Sequence, residues 1–285
     1  MFKNNNIKKF YKIFILCGLS FFLTAYSKNN FFNFSSGLIS QIEYSLMWTV
    51  FKVMLIIVIP VFFLTFFILY KYHKNNRTEI YQPDWSHSYK IEIVIWLIPI
   101  LMVLFLSHLS YKYTHLLEPH KNIKSSITPI VIEAVSLDWR WLFIYPKYKI
   151  ATINEIVIPI NTPIHFKITS YSVMNSFFIP SLGSQIYSMA GMKTQLNLIS
   201  NTLGNFTGIS SNYSGAGFSN MKFQVRVVKN FKNFYKWKNR VQKSILNLNT
   251  LKKFLKLATP TDNFKIKYFS SVNKNLFQNI INLFK

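Results

Sequence analysis

Long apolar runs fill the first part of the chain, and short alternating runs fill most of the rest. Residues 46–70 are almost wholly apolar, as are residues 91–111. Each run reaches the about 20 residues needed to cross a bilayer core as a helix. The charge in the first run, Lys52, lies within two turns of its start and can reach the interface along its own stem. Trp48 and Tyr70 sit near the ends of that run, where aromatic belts form. Pro60 and Pro99 would be costly inside soluble helices but are tolerated in a membrane. Two transmembrane helices in an antiparallel hairpin are therefore predicted, as an anchor over residues 40–113.

The loop between them carries Lys71, Lys74, Arg77 and Lys90. Short loops rich in Lys and Arg stay on the cytoplasmic side, which puts both chain ends outside. A shorter apolar run, residues 13–25, follows Lys3, Lys8, Lys9 and Lys12. It reads as a signal-like segment over residues 1–26, with an uncleaved anchor as the second reading.

From about residue 125 the period changes. In 129–145, Ile130, Ile132 and Ala134 alternate with more polar positions, and 155–170, 195–200 and 221–228 read similarly. Strands at this spacing predict an antiparallel, all-β sandwich over residues 125–230. Beyond it the helical period returns, giving a C-terminal extension over residues 231–285. Leu251, Phe254, Leu255 and Ala258 form one stripe, and Leu276, Phe277, Ile280, Ile281 and Phe284 another. These helices are expected to pack on the sandwich or on a partner subunit, with a membrane-surface role as the alternative.

Composition narrows the function. The net charge is +24, carried by 29 Lys and 4 Arg spread along the chain. Arg, the better residue for bidentate phosphate contacts, is scarce, so no nucleic-acid partner is expected. The excess of Lys, Asn, Ile, Phe and Tyr points to AT-rich coding. A single cysteine, Cys17, rules out an internal disulfide and any site built on two thiolates. His73, His87, His108, His115, His120 and His165 are scattered, and no nucleophile–base pair or phosphate loop is present. On its own the chain should catalyse nothing.

Several segments resemble subunit II of bacterial cytochrome bo-type ubiquinol oxidase, of the haem-copper oxidase superfamily. They are Pro83-Asp84-Trp85-Ser86-His87-Ser88, Ala151-Thr152-Ile153-Asn154-Glu155, Val173-Met174-Asn175-Ser176-Phe177-Phe178-Ile179-Pro180, Leu182-Gly183-Ser184-Gln185-Ile186-Tyr187 and Tyr213-Ser214-Gly215. The resemblance runs from Ser40 to Phe284. It implies that the sandwich is cupredoxin-like and periplasmic, on a multi-pass subunit of the bacterial inner membrane. It also implies a partner subunit I that holds two haems and one copper, oxidises ubiquinol and reduces oxygen with proton pumping. Further small membrane subunits and membrane lipid are expected partners. Family members often carry a lipid-bearing Cys after small residues near the N-terminus. Tyr26 stands there in this chain, so no lipidation is expected.

The same resemblance locates a degenerate copper site. In the copper-containing branch two Cys, two His and a Met hold a binuclear centre, with one backbone carbonyl. The matching positions here are Asn175, Ser210, Asn212, Ser214, Phe218 and Met221. Serine hydroxyls are hard and neutral, an amide is a poor copper ligand, and phenylalanine has no lone pair. No metal or cofactor is therefore expected in this chain, and no cytochrome c partner. Side-chain hydrogen bonds are expected to hold the loop instead, with Met221 as a core residue.

Asp138-Trp139-Arg140-Trp141 resembles that branch's aromatic relay. Without copper it is expected to serve packing, with Asp138 in an ion pair or hydrogen bond. Glu92 matches a family carboxylate near a proton-pathway entrance. It either collects protons, or is an interfacial charge paired with Lys90 or subunit I. Function is thus expected to be that of a non-redox subunit II of a quinol oxidase. A menaquinol oxidase subunit and a stand-alone basic membrane-anchored binding protein are the alternatives.

Overall fold

The computed structural model describes residues 35–73, 76, 84, 86–261 and 265–284. The signal-like segment, Cys17, Tyr26 and part of the cytoplasmic loop lie outside the described residues. Helix α1 spans Leu38–Lys71 and α2 spans Tyr89–Leu116. At 1.5 Å per residue each exceeds the roughly 30 Å of a hydrocarbon core. Both are long and apolar enough to cross a membrane, and most of their apolar side chains from Phe51 to Leu69 and from Ile91 to Phe105 are exposed. Pro60 and Pro99 lie inside these helices.

A two-sheet sandwich follows. Its strands are β1 (Ile130–Leu137), β2 (Arg140–Tyr145), β3 (Ile150–Ile153), β4 (Glu155–Pro159), β5 (Ile164–Ser170), β6 (Asn175–Ile179), β7 (Gly183–Ser188), β8 (Thr194–Leu198), β9 (Gly204–Ser210), β10 (Lys222–Val228) and β11 (Lys267–Phe269). One sheet has the order β11-β3-β2-β1-β5-β8 and the other β4-β10-β9-β6-β7. The sheets are mixed, because β1 runs parallel to β5 and β10 parallel to β4. This corrects the purely antiparallel expectation. Side-chain alternation is the same for either pairing, so the pattern cannot separate them.

Alternation in β1 and β2 sorts two cores. Ile132, Ala134, Trp141, Phe143 and Tyr145 face the space between the sheets, with Phe166, Phe177 and Phe223. Val135, Leu137, Leu142 and Ile144 face outward into a second core. That core is closed by the C-terminal segment, which explains why Arg140–Tyr145 is buried at every position. Each large apolar side chain so buried is worth about 1.5–3 kcal/mol.

The C-terminal segment forms α3 (Phe231–Gln242), α4 (Leu251–Leu257) and α5 (Leu276–Asn282). Asn230 and Thr250 cap α3 and α4 by accepting from Asn233 N and Lys253 N. The predicted stripes pack on the sandwich through Phe254, Ala258, Leu276, Phe277, Ile280 and Ile281. Leu255 and Phe284, at the stripe edges, are exposed. The extension is not wholly helical, since β11 from within it pairs with β3.

The anchor is tied to the sandwich through backbone. Ser36 and Gly37 amides donate to Ser181 O at 2.8 and 3.1 Å, and Asn201 N donates to Ser36 O at 2.8 Å. A Cβ on Gly37 would lie 2.6 Å from Ile199 O and 2.7 Å from Leu182 O, so glycine is required there. On the α2 side, Asn197 N donates to Pro119 O at 2.9 Å, and its Nδ2 reaches His120 O and Lys121 O.

Candidate functional site

The six degenerate positions converge at the end of the sandwich away from the anchor. Asn175 opens β6 and Ser210 closes β9, and these strands are paired. Ser210 Oγ donates to Asn175 Oδ1 at 3.0 Å, with both residues buried. Ser210 N donates to Met221 O at 3.1 Å, closing the loop at its base. Ser214 Oγ lies 3.9 Å from Met221 Sδ. The Asn212 side chain points away and donates through Nδ2 to Met174 O at 3.0 Å. Phe218 packs edge-on against Tyr213, at 5.6 Å between ring centroids. Hydrogen bonds thus join Asn175, Ser210, Ser214 and Met221, and the Asn212 carbonyl oxygen lies 3.5 Å from Ser210 Oγ, while the Asn212 side chain and Phe218 are turned to other partners.

Asn175 also leads inward. Its Nδ2 lies 3.4 Å from Ser136 Oγ, which donates to Ser170 Oγ at 2.8 Å and lies 3.0 Å from Ser188 Oγ. Ser188 Oγ in turn donates to Thr169 O at 2.6 Å. A hydroxyl network therefore runs from the loop between the sheets, and satisfied buried networks of this kind hold one geometry. The donors do not fit a copper centre. Two hydroxyls, one amide and one thioether supply no thiolate to bridge metals and no imidazole to complete them. Among the described residues no group of three or more His, Cys, Asp and Glu is gathered for a metal.

Trp139 braces the loop from below. It holds a left-handed φ of 62°, uncommon for a bulky residue. Its Nε1 donates to Ser214 O at 3.0 Å. A Cβ on Gly217 would fall 2.4 Å from its ring, so the indole occupies the space that Gly217 leaves open. Trp141 lies in the inter-sheet core, 5.2 Å from Phe177 and 5.9 Å from Phe223 between centroids. Asp138 acts on Arg140 electrostatically, opposing the burial that pulls the Arg140 guanidinium below its usual range.

Two charged groups escaped the sequence reading. Arg140 Nη2 donates to Leu257 O at 2.6 Å and Thr259 O at 2.9 Å, at the C-terminal end of α4 where a cation is favoured. Glu155 is buried and binds three elements. Its Oε2 accepts from Trp237 Nε1 and from Tyr268 OH, each at 2.9 Å, and its Oε1 lies 3.5 Å from Arg226 Nη2. Burial first, and the Glu155 charge second, push the Tyr268 phenol up to about 12. Tyr145 OH, fully buried, donates to Val157 O at 3.1 Å, and burial raises its pKa above the usual phenol range. A carboxylate in a β signature of a chain with nine acids against 33 bases was the available signal for Glu155.

Glu92 sits in the first turn of α2, at the opposite end of the helix from the sandwich, and its amide donates to Ser88 O at 2.9 Å. It forms no ion pair with Lys90 within the described residues, because residues two apart on a helix do not face each other. The histidines do not gather either. His165 Nδ1 lies 2.8 Å from Asn197 Oδ1, and His120 lies 3.4 Å from Glu118.

Comparison with known proteins gives a consistent picture. Residues 146–228 match the family model for the cytochrome c oxidase subunit II periplasmic domain, and 243–284 match the COX aromatic rich motif. The chain is 56% identical over 246 residues to cytochrome bo(3) ubiquinol oxidase subunit 2 of Buchnera aphidicola subsp. Baizongia pistaciae, covering 86% of each. It is 47% identical over 232 residues to the protein of the same description from Pseudomonas putida, covering 81% of this chain and 73% of that one. Among solved structures, it is similar to the periplasmic domain of cytochrome oxidase subunit II of Bradyrhizobium japonicum. That similarity has a TM-score of 0.39 and 24% identity, over 42% of this chain and 96% of that one.

Proposed function

Because the chain belongs to the cytochrome bo(3) ubiquinol oxidase subunit 2 family, it is a subunit of a respiratory terminal oxidase, and we propose that its part there is structural rather than redox. It works beside a subunit I in that multi-subunit enzyme. The proposed assignment puts both haems and the copper in subunit I, with quinol oxidised and oxygen reduced there and protons pumped. The periplasmic sandwich covers subunit I without relaying electrons, and cytochrome c has no port. Further small membrane subunits complete a complex of the bacterial inner membrane, with the sandwich on the periplasmic side.

The observation that carries this reading is the Asn175–Ser210 hydrogen bond. It fills the position of a metal clip with groups that bind one another instead of copper. Glu92 is proposed as a proton-collecting carboxylate at the cytoplasmic entrance. Its exposed place in the first turn of α2, free of Lys90, supports that role.

Oxygen uptake by the complex purified through a tag on this chain tests the reading. Rapid uptake with ubiquinol and none with reduced cytochrome c is expected. Uptake with cytochrome c would sink the non-redox assignment. Uptake with menaquinol in preference to ubiquinol would move the chain to the other quinol branch.

A further inference from the structure

A hinge between membrane helices and a folded domain needs a few connecting residues free to change φ and ψ. Neither connection in this chain leaves them free. On the α1 side, Ser36 and Gly37 are bonded to Ser181 and Asn201 before the helix begins. The first turn of α1 then lies against the sandwich. Ser40 Oγ accepts from Gly37 N at 3.1 Å and donates to Ser181 O at 2.9 Å, with Gly37 O at 3.0 Å as the other acceptor in reach. Ser40 N donates to Leu182 O at 3.3 Å. Ile39 joins the core between the sheets, and a Cβ on Gly183 would fall 2.6 Å from its side chain. One turn further on, Glu43 accepts from Ser184 Oγ at 2.8 Å.

The connection after α2 is held by another element. Asn197 of β8 is buried, and its backbone amide donates to Pro119 O at 2.9 Å. Its side-chain Nδ2 reaches His120 O at 3.0 Å and Lys121 O at 3.2 Å. Both partners are acceptors, so the Asn197 side chain turns its Oδ1 toward His165, whose Nδ1 lies 2.8 Å away. Nδ1 must therefore carry the proton and donate. His165 thus holds Asn197 in the one orientation that serves both carbonyls. Leu117 and Ile123, on either side of this clamp, pack on the same core as Ile39.

We propose that these two clamps make the anchor and the sandwich one rigid body, and that this rigidity makes the two contacts of the chain with subunit I, through helices and through sandwich, act as one. Relative motion is the default for a domain carried on a connecting segment. Here, bending at either helix end would break buried hydrogen bonds and open a core that both connections share. A rigid link places the second surface at its site as soon as the first has docked, which raises its effective concentration. The inference rests on the sandwich covering subunit I. Ser40 and Asn197 are buried inside this chain, so they act on retention through the link and not by touching the partner.

The test has two parts. In the first, the full chain is expressed without subunit I and reconstituted in lipid nanodiscs. It carries spin labels at Met47→Cys in α1 and Lys193→Cys in the sandwich, both exposed positions, with Cys17→Ser removing the native thiol. Double electron–electron resonance should give a single narrow distance distribution, and a broad one overturns the proposal. Ser40→Ala/Asn197→Ala should broaden it. His165→Leu should broaden it too, whereas His165→Asn, which keeps a donor where Nδ1 stands, should leave it narrow. A distribution that stays narrow in His165→Leu and in the double variant overturns the assignment of the clamps. If the double variant does not fold, the His165 pair carries the test.

In the second part, the intact complex is purified through this chain and diluted in detergent. Ser40→Ala/Asn197→Ala should release subunit I at least about tenfold faster than wild type, since linkage strengthens binding by about 10²–10⁴. Should the double variant not assemble, His165→Leu should release subunit I faster than His165→Asn. Equal release overturns the coupling to subunit I. A wild-type chain with a narrow distribution that retains no subunit I would sink the reading of a covering sandwich and leave the clamps standing.

Discussion

The indole Nε1 of Trp139 donates to the carbonyl oxygen of Ser214 at 3.0 Å, across 75 residues of chain. That bond ties the β1–β2 turn to the loop whose relatives in the copper-containing branch hold metal. Trp139 adopts φ 62° to make it, a backbone state that costs of order 1–3 kcal/mol for such a residue. The surrounding contacts offset the cost: the hydrogen bond, the ring against Gly217, and the buried Ser210–Asn175 pair. The loop thus keeps a defined shape with no metal donor set.

Restoring the donors tests that shape. Asn175→His, Ser210→Cys, Ser214→Cys and Phe218→His together should bring two thiolates and two imidazoles to one place beside Met221. Purified under copper-replete conditions, the variant should show a purple absorption and take up two coppers. A colourless, copper-free product would mean that the loop does not retain the older geometry. Phe218 is the position expected to need most adjustment, since its ring now lies on Tyr213.

Removing the Glu155 carboxylate should loosen the C-terminal segment from the sandwich. Glu155→Ala leaves Arg226 without its ion pair and Trp237 Nε1 and Tyr268 OH without their acceptor. Leaving the buried Trp237 N–H without its acceptor costs about 1–3 kcal/mol, and the ion pair, with Arg226 open to solvent, adds about 1 kcal/mol or less. Thermal unfolding of the detergent-solubilised complex, followed by tryptophan fluorescence, should show a clear drop in Tm. A Tm within a degree of wild type would show that the network contributes little.

Alkaline pH should act on the same network. Tyr268 has its pKa raised from an ordinary 10.0 to about 12 by burial and by Glu155. A raised pKa stabilises the fold fully below the unfolded value, and that contribution is lost as pH rises through the folded one. Stability should therefore fall between about pH 10 and 12. Tyr268→Phe should lose less than wild type over that window, measured by denaturant midpoints. Equal losses would place the alkaline sensitivity elsewhere, with Tyr148, also raised to about 12, the next group to replace.

Glu92→Gln should slow proton uptake during turnover while leaving assembly intact. The carboxylate is exposed in the first turn of α2, so its replacement by an isosteric amide should not alter folding. Uptake measured with a pH dye in reconstituted vesicles, alongside ubiquinol oxidation, separates proton supply from quinol chemistry. Unchanged uptake and pumping would make Glu92 an interfacial charge only.

Several features were decided by the chain alone. Two apolar runs of spanning length can be satisfied only as membrane helices or as deeply buried ones, so the anchor was legible. The stripes at Leu276, Phe277, Ile280 and Ile281 and at Phe254 and Ala258 marked helix faces that must be buried, and they are. Missing Cys and His at Ser210, Ser214, Asn175 and Phe218 decided the donor chemistry without any coordinates. Tertiary structure decided the rest. Parallel pairing of β1 with β5 and β10 with β4, and the joining of β11 to the sheet, depend on which distant strands meet. Side-chain alternation carries no record of that choice. Glu155 looked like any strand carboxylate until folding brought Trp237, Tyr268 and Arg226 around it from up to 113 residues away. Local pattern records what each residue must avoid or seek, whereas long-range packing selects which partner meets that need.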